Sequence, residues 1–211
     1  MTGHFPAWIR ARRAAVLAIA LAMAAMACGP AHAQFSDSYN FLKAVKDADG
    51  QKVTDLIQKP GSTVINSRDV TTGDTALHLV IARRDITWLS FLLAKGANPN
   101  LADNSGNTPL MKAVQARFAD GVTTLLVHGA QVDKANGRGE TPLIRAVQLR
   151  DVPMTRLLVA QGANPDRKDS FAGMSARDYA QQEARTAGLV EALSAAKGKA
   201  QPSGPVQGPV F

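Results

Sequence analysis

A single period governs this chain. "GDTALHLVIARRD" begins at Gly73, "GNTPLMKAVQARF" at Gly106 and "GETPLIRAVQLRD" at Gly139, a constant step of 33 residues. A second landmark keeps the same beat: "GANPN" at Gly96, "GAQVD" at Gly129 and "GANPD" at Gly162. A fourth opening, "GMSARDYA", starts at Gly173, one residue late because "DSFAG" carries an insertion. Self-similarity at such a period marks a repeat architecture, in which each unit is too small to bury its own apolar face and must stack on a neighbour. A closed globule would put Gly73, Gly106 and Gly139 at inequivalent sites.

Each landmark has a local cause. Thr108 and Thr141 stand where a side-chain oxygen caps a helix, and Pro109 and Pro142 occupy the first turn, where a missing amide costs nothing. Thr75 and Ala76 keep the cap without the proline. Apolar residues such as Leu110, Ala113 and Val114 then recur at helical spacing. After a short break a second helix follows in each unit: "ITWLSFLLAKG", "DGVTTLLVHG" and "VPMTRLLVAQG". Its closing glycine (Gly96, Gly129, Gly162) is suited to a left-handed C-terminal cap. The Asn- and Pro-rich stretch Gly96 to Leu110 therefore separates one helix pair from the next. Trp88 and Phe91 fall at second-helix positions expected to face the stack.

This arrangement resembles the ankyrin repeat. The family's Thr-Pro-Leu-His opening is split here: "TALH" keeps His78 and loses the proline, while "TPLM" and "TPLI" do the reverse. Leu-Leu before Gly-Ala recurs at Leu92–Leu93, Leu125–Leu126 and Leu157–Leu158, and Asp103–Gly106 keeps an Asp-x-x-Gly turn, with Asn136 in place of the aspartate one unit later. The resemblance runs from Phe41 to Ala196. It implies an all-α solenoid of helix–turn–helix units joined by β-hairpin-like loops, about five units at 38–70, 71–103, 104–136, 137–170 and 171–199. The first unit is degenerate, with apolar faces from Phe41, Leu42, Val45, Val53, Leu56 and Ile57. The last is polar, as a terminal unit needs to be. A Pro- and Gly-rich segment, 200–211, is expected to be disordered. Its apolar end, "PVF", reads as an inert tail in preference to a ligand for PDZ-type domains.

The first 33 residues read as an export signal. Arg10, Arg12 and Arg13 precede the charge-free run Ala14 to Ala27, and "AHA" stands before the expected cleavage between Ala33 and Gln34. The apolar run is shorter than the roughly 20 residues a membrane span needs. "AMAC", Ala25 to Cys28, offers a lipid-attachment alternative, weakened by Ala25 where such boxes prefer leucine. Cys28 is the sole cysteine, so a mature chain starting at Gln34 has no thiol, which suits an oxidising compartment. The expected location is the bacterial periplasm. Removing the three leader arginines lowers the formal charge from +7 to +4, too small an excess to argue for nucleic acid.

No catalytic set stands out. His78 and His128 lie in different units without cysteine or a clustered carboxylate, which makes a poor metal site. The resemblance gives His78 a structural place. "DADG", Asp47 to Gly50, lacks the alternation and distal glutamate of a calcium loop and reads as a turn between helices. Neither a phosphate-binding loop nor a Gly-x-Ser-x-Gly or His-Glu-x-x-His motif is present. No cofactor and no metal are expected, and the chain is read as a non-enzyme.

One pattern stands apart from the fold. Where the ankyrin pattern ends its first helix with glycine, this chain has Arg84, Arg117 and Arg150. On helices stacked 8–10 Å apart these form a ladder. Two charges at that spacing repel by about 0.4 kcal/mol in water before screening. Two readings stand: complementing the helix dipole, or meeting an acidic partner. Arg68, Arg83, Arg138, Arg167 and Lys168 add positive charge nearby. Ankyrin stacks are similar in binding other proteins through hairpin tips and first-helix surfaces, which implies a docking set here. It comprises Arg68, Val70, Asp74, Arg83, Arg84, Ala102, Asn104, Asn107, Gln115, Arg117, Ala135, Arg138, Glu140, Gln148, Arg150, Lys168, Phe171 and Met174. The expected function is a monomeric periplasmic binding module (adaptor, inhibitor or immunity protein) for a protein partner, acidic if the ladder takes part. The alternative is an envelope-attached structural protein.

Overall fold

The computed structural model describes residues 31–182 and 187–194, with side chains from Asp37 onward. Residues 1–30, which hold most of the expected export signal and Cys28, and the 200–211 segment lie outside the described residues. Among the described residues ten α-helices form five antiparallel pairs: α1 (Ala31–Lys46) and α2 (Gly50–Gln58), α3 (Ala76–Ala82) and α4 (Ile86–Ala94), α5 (Pro109–Gln115) and α6 (Ala119–Val127), α7 (Pro142–Gln148) and α8 (Val152–Ala160), α9 (Ala176–Gln182) and α10 (Ala187–Ser194). The expected cleavage junction, Ala33–Gln34, falls inside α1. The chain is an all-α solenoid, and among the described residues no helix is long and apolar enough to cross a membrane.

The repeated sequence signals do repeated work. Thr108 and Thr141 accept hydrogen bonds from the Met111 and Ile144 amides, each at 3.2 Å. Pro109 and Pro142 fill the first turn behind them. Unit five uses Ser175 and Asp178 reciprocally: the Asp178 carboxylate accepts from the Ser175 amide at 2.8 Å, and Ser175 Oγ accepts from the Asp178 amide at 3.2 Å. Second helices begin on Asp49, Asp85 and Asp151, whose carboxylates accept from amides three residues on. Unit three has Phe118 at this place, and its ring lies over Gly121, where a Cβ would meet Phe118 Cδ1 at 2.3 Å.

The helices stack unit on unit. α1, α3, α5, α7 and α9 form one continuous row, and α4 packs on α6 and α8 on α10. The core fills from equivalent positions: Leu77, Leu110 and Leu143 from first helices and Leu92, Leu125 and Leu158 from second helices are all fully buried. Each such leucine is worth about 1.5–3 kcal/mol relative to exposure. Phe41, Val45 and Val53 close the first unit as expected, while Trp88 and Phe91 are half-buried against the core and meet edge to face at 5.7 Å.

Among the described residues four tight hairpins stand between the pairs: 69–74, 103–107, 136–140 and 169–174. Each is closed by the amide of its first residue donating to the carbonyl of its last, at 2.8–3.0 Å. The first and last are one residue longer than the middle two. Each tip also bonds to the next: the Asn104 amide to Thr72 O (3.0 Å), Gly137 to Ser105 O (3.0 Å) and Ser170 to Arg138 O (2.9 Å). Gly73, Gly106 and Gly139 occupy equivalent left-handed sites, φ +76, +81 and +75. A Cβ on any of them would lie 2.4–2.5 Å from the following hairpin. These glycines are therefore required twice, by backbone angle and by close approach.

Candidate functional site

Hairpins and first helices meet along one face, and a chain of polar side chains runs through that junction. His78 is buried at the start of α3. Its Nδ1 accepts from the Thr75 amide at 3.1 Å and lies 2.9 Å from the Thr75 hydroxyl, while Nε2 donates to the Asn107 carbonyl at 3.0 Å. Burial holds its pKa below the ordinary histidine value, opposed by the Asn107 contact. The Thr75 hydroxyl is thus directed at the histidine, unlike those of Thr108 and Thr141.

Asp103 comes next. Its carboxylate accepts from the Ser105 and Asn107 amides, both at 2.8 Å, and pairs with Lys112 at 3.0 Å. Burial pushes its pKa up, but Lys112 and Asn107 outweigh that and hold it below the usual carboxylate range. Asp74, His78 and Asp103 bring ligand-type atoms within 4.8 Å of one another. Both His78 nitrogens and the Asp103 carboxylate are already committed to protein hydrogen bonds, so the trio serves the hairpin–helix joint and offers a metal little.

One unit further, Glu140 plays the same part with different residues. It accepts from Arg145 Nη2 at 2.8 Å and Asn136 Nδ2 at 2.9 Å, and Gln148 Nε2 lies 3.5 Å away. Asn136 Nδ2 also reaches Asn107 Oδ1 at 3.2 Å, tying the two units together. In the last hairpin the Tyr179 hydroxyl donates to Asp169 at 2.6 Å. Burial raises the Asp169 pKa, and that hydroxyl with the Ala172, Gly173 and Met174 backbone contacts outweighs it, leaving it lowered.

This geometry corrects the docking set in two places. Asn107 and Glu140 are 9% and 7% exposed, not surface residues, because neighbouring hairpins cover them and they hold Asp103, Asn136 and Arg145 in place. Asp74, Ala102, Ala135, Gln148 and Met174 are half-buried. Arg68, Val70, Asn104, Gln115, Arg138, Lys168 and Phe171 are exposed, Val70 and Phe171 being the barest at 84% and 87%. Exposed Gln115 and half-buried Gln148 are equivalent positions on adjacent first helices, with Lys112 and Arg145 similarly paired beside them.

The arginine ladder is real as an edge and is drawn into the fold. Arg84, Arg117 and Arg150 all adopt left-handed backbone, φ +55, +51 and +54. That region costs an L-residue about 1–2 kcal/mol, which explains the glycine usual there. The side chains offset part of that cost: Arg84 donates to the Ala116 carbonyl, and Arg117 to Leu149 O at 2.8 Å. Ala116 and Leu149 are the C-caps of α5 and α7, so Arg84 and Arg117 each close the helix end of the next unit and complement its dipole. Arg83 does likewise toward the preceding unit, donating to Val45 O at 2.7 Å and Lys46 O at 3.0 Å.

A second inter-unit ladder escapes a reading built on helices alone. Asn66, Asn100 and Asp133 accept from the Asn98, Gln131 and Asn164 amides of the following units, at 2.8, 2.8 and 3.0 Å. The last residues of the motifs at Gly96 and Gly129 are therefore bonds to a backbone amide of the next unit, whereas Asp166, ending the third, accepts from Arg177 Nε at 2.7 Å. Their recurrence 33 residues apart at Asn100 and Asp133 was the available signal.

The family described as "Ankyrin repeats (3 copies)" matches residues 41–136, and "Ankyrin repeat" matches 138–170, together more than half of the chain. A relative described as an ankyrin repeat protein of Fowlpox virus (strain NVSL) is 35% identical over 77 residues, 36% of this chain. The match spans 22% of that relative's length. Repeat spacing, equivalent hairpin glycines and the buried histidine joint agree with these matches: the chain belongs to the ankyrin-repeat family.

Proposed function

We propose that this protein is a non-enzymatic docking module that captures a protein partner with the face formed by its hairpin tips and first helices. Ankyrin repeats are protein–protein interaction modules. What supports the location of the face is the contrast between its two layers. Buried carboxylates, Asp103 and Glu140, fix Lys112 and Arg145 from below, while Gln115, Arg138 and Asn104 stand exposed above them. A rigid frame presenting polar groups suits reversible, electrostatically steered association. Lys112 and Arg145 are already neutralised, so the face favours a partner rich in hydrogen-bonding groups over one recognised by charge alone.

The reading places the mature chain in the periplasm as an adaptor, inhibitor or immunity protein. Intact mass of the natively expressed protein tests the location, with Gln34 expected as its first residue and a lipid-bearing Cys28 as the contrary result. Replacing Gln115→Glu and Arg138→Glu together tests the face. Far-UV circular dichroism should be unchanged while co-purification of a mass-identified partner falls at least tenfold. Retained capture would move the site elsewhere.

A further inference from the structure

We propose that the tip of the last hairpin, Ser170 to Gly173, is an open seat for an asparagine-bearing loop of a partner polypeptide. The first hairpin supplies the template, because the two are built alike. In the first, Asp69 Oδ1 accepts from the Thr71 and Thr72 amides at 2.9 and 3.1 Å. In the last, Asp169 Oδ1 accepts from the Phe171 and Ala172 amides at 3.1 and 2.7 Å, and also from Gly173 at 3.0 Å, whereas the Gly73 amide goes to the Asp69 carbonyl at 2.9 Å. Both carry one residue more than the middle hairpins, and both have a left-handed glycine just before their last residue, Gly73 at φ +76 and Gly173 at φ +65. Position 71 corresponds to 171, 72 to 172 and 73 to 173.

The first seat is filled. Asn104 of the next hairpin donates its amide to Thr72 O at 3.0 Å and its carboxamide to Thr71 O at 2.8 Å. Its Oδ1 lies 2.4 Å from where a Cβ on Gly73 would stand. No group among the described residues fills the last seat. Among the described residues nothing lies within 4 Å of a Cβ built on Gly173, and the Phe171 and Ala172 carbonyls accept no hydrogen bond. Asp169 draws the tip amides inward, leaving carbonyl acceptors outward, so the occupant has to bring donors. Asparagine at the head of a turn brings both at the required spacing, as Asn104 does. Phe171, 87% exposed, adds an apolar surface that Thr71 lacks.

This inference rests on the partner-binding reading above, yet the two fail separately: the Gln115 and Arg138 reversals act on the native partner, while the following titration reads the end seat alone. The probe is a capped peptide of the chain's own Leu101–Thr108, added to the 15N-labelled full chain. The expected result is saturable amide shifts at Phe171, Ala172 and Gly173, with Thr71 to Gly73 unmoved. An Asn104→Ala peptide should bind at least tenfold more weakly, as should the native peptide to Phe171→Ser protein. So small a contact implies a dissociation constant of order 1 mM. Absence of shifts up to about 10 mM, or equal shifts with the alanine peptide, would overturn the proposal. Concentration-dependent shifts at 171–173 without peptide would also overturn it, making a second copy the occupant.

Discussion

Gly106 and Gly129 allow the cost of backbone angle to be separated from the cost of contact between units. Their φ values are nearly equal, +81 and +85. A Cβ on Gly129 meets nothing within 4 Å, whereas one on Gly106 would stand 2.4 Å from the Gly137 amide nitrogen and 3.0 Å from the Asn136 carbonyl carbon. Gly129→Ala should therefore cost about 1 kcal/mol, the left-handed penalty less the entropy removed from the unfolded chain. Gly106→Ala carries the same term and two more. Overpacking against backbone costs about 1–3 kcal/mol, and displacing the Gly137 amide from Ser105 O costs about 1 kcal/mol. The expected total is about 3–5 kcal/mol. With a urea dependence of about 2 kcal/mol/M, the Gly106→Ala midpoint should fall about 1–2 M below that of Gly129→Ala. Gly173→Ala, at the same hairpin position but with no neighbour among the described residues, should resemble Gly129→Ala. Urea melts followed by far-UV circular dichroism measure all three. If Gly106→Ala is no worse than Gly129→Ala, the hairpin ladder does not hold the units together and the account of these glycines is wrong.

The buried histidine predicts a pH dependence. With its folded pKa depressed, His78 binds fewer protons folded than unfolded, so stability is lost as pH falls below about 6.5 toward the folded value. Chemical denaturation at pH 7.5 and 5.0 should show that loss, and His78→Gln, which can retain a capping role, should flatten it; an unchanged slope would remove His78 as its origin. Arg117→Ala should cost about 1 kcal/mol, since the bond to Leu149 O goes while the strained backbone stays. Thermal melts that match wild type would reduce the ladder to surface charge. Lys112→Ala leaves Asp103 buried without its cation and should cost about 1–2 kcal/mol, the pair lying between exposed and buried limits. An Asp103→Asn background should abolish most of that loss in a double-mutant cycle.

Periodicity made the stack legible. Gly73, Gly106 and Gly139 mark one site because a backbone constraint is written into residue type, and the Thr-Pro pairs mark helix starts for the same reason. Burial on the proposed docking face was less legible. Asn107 and Glu140 look like surface residues by type, but each is covered by the next hairpin, and pairing such as Asn136 with Asn107 crosses unit boundaries that local spacing does not reveal. The arginines were ambiguous for a related reason. Sequence fixes their period, while the choice between partner and scaffold depends on where a long side chain ends, here on carbonyls one unit away. The two longer hairpins hold the converse lesson. An inserted residue was visible in "DSFAG", but its likeness to "DVTTG" emerges only when both turns are seen closing on an aspartate.

The directed bonding of the hairpin tips has a modular consequence. Every lower tip offers an oxygen upward and every upper tip a nitrogen downward, so the solenoid has a pitch at which it can be cut and rejoined. Excising Gly106 through Arg138 would splice Ser105 onto Gly139, leaving the Ser105 carbonyl to receive Ser170 in place of Gly137. A shortened chain of four units should then fold with its thread unbroken.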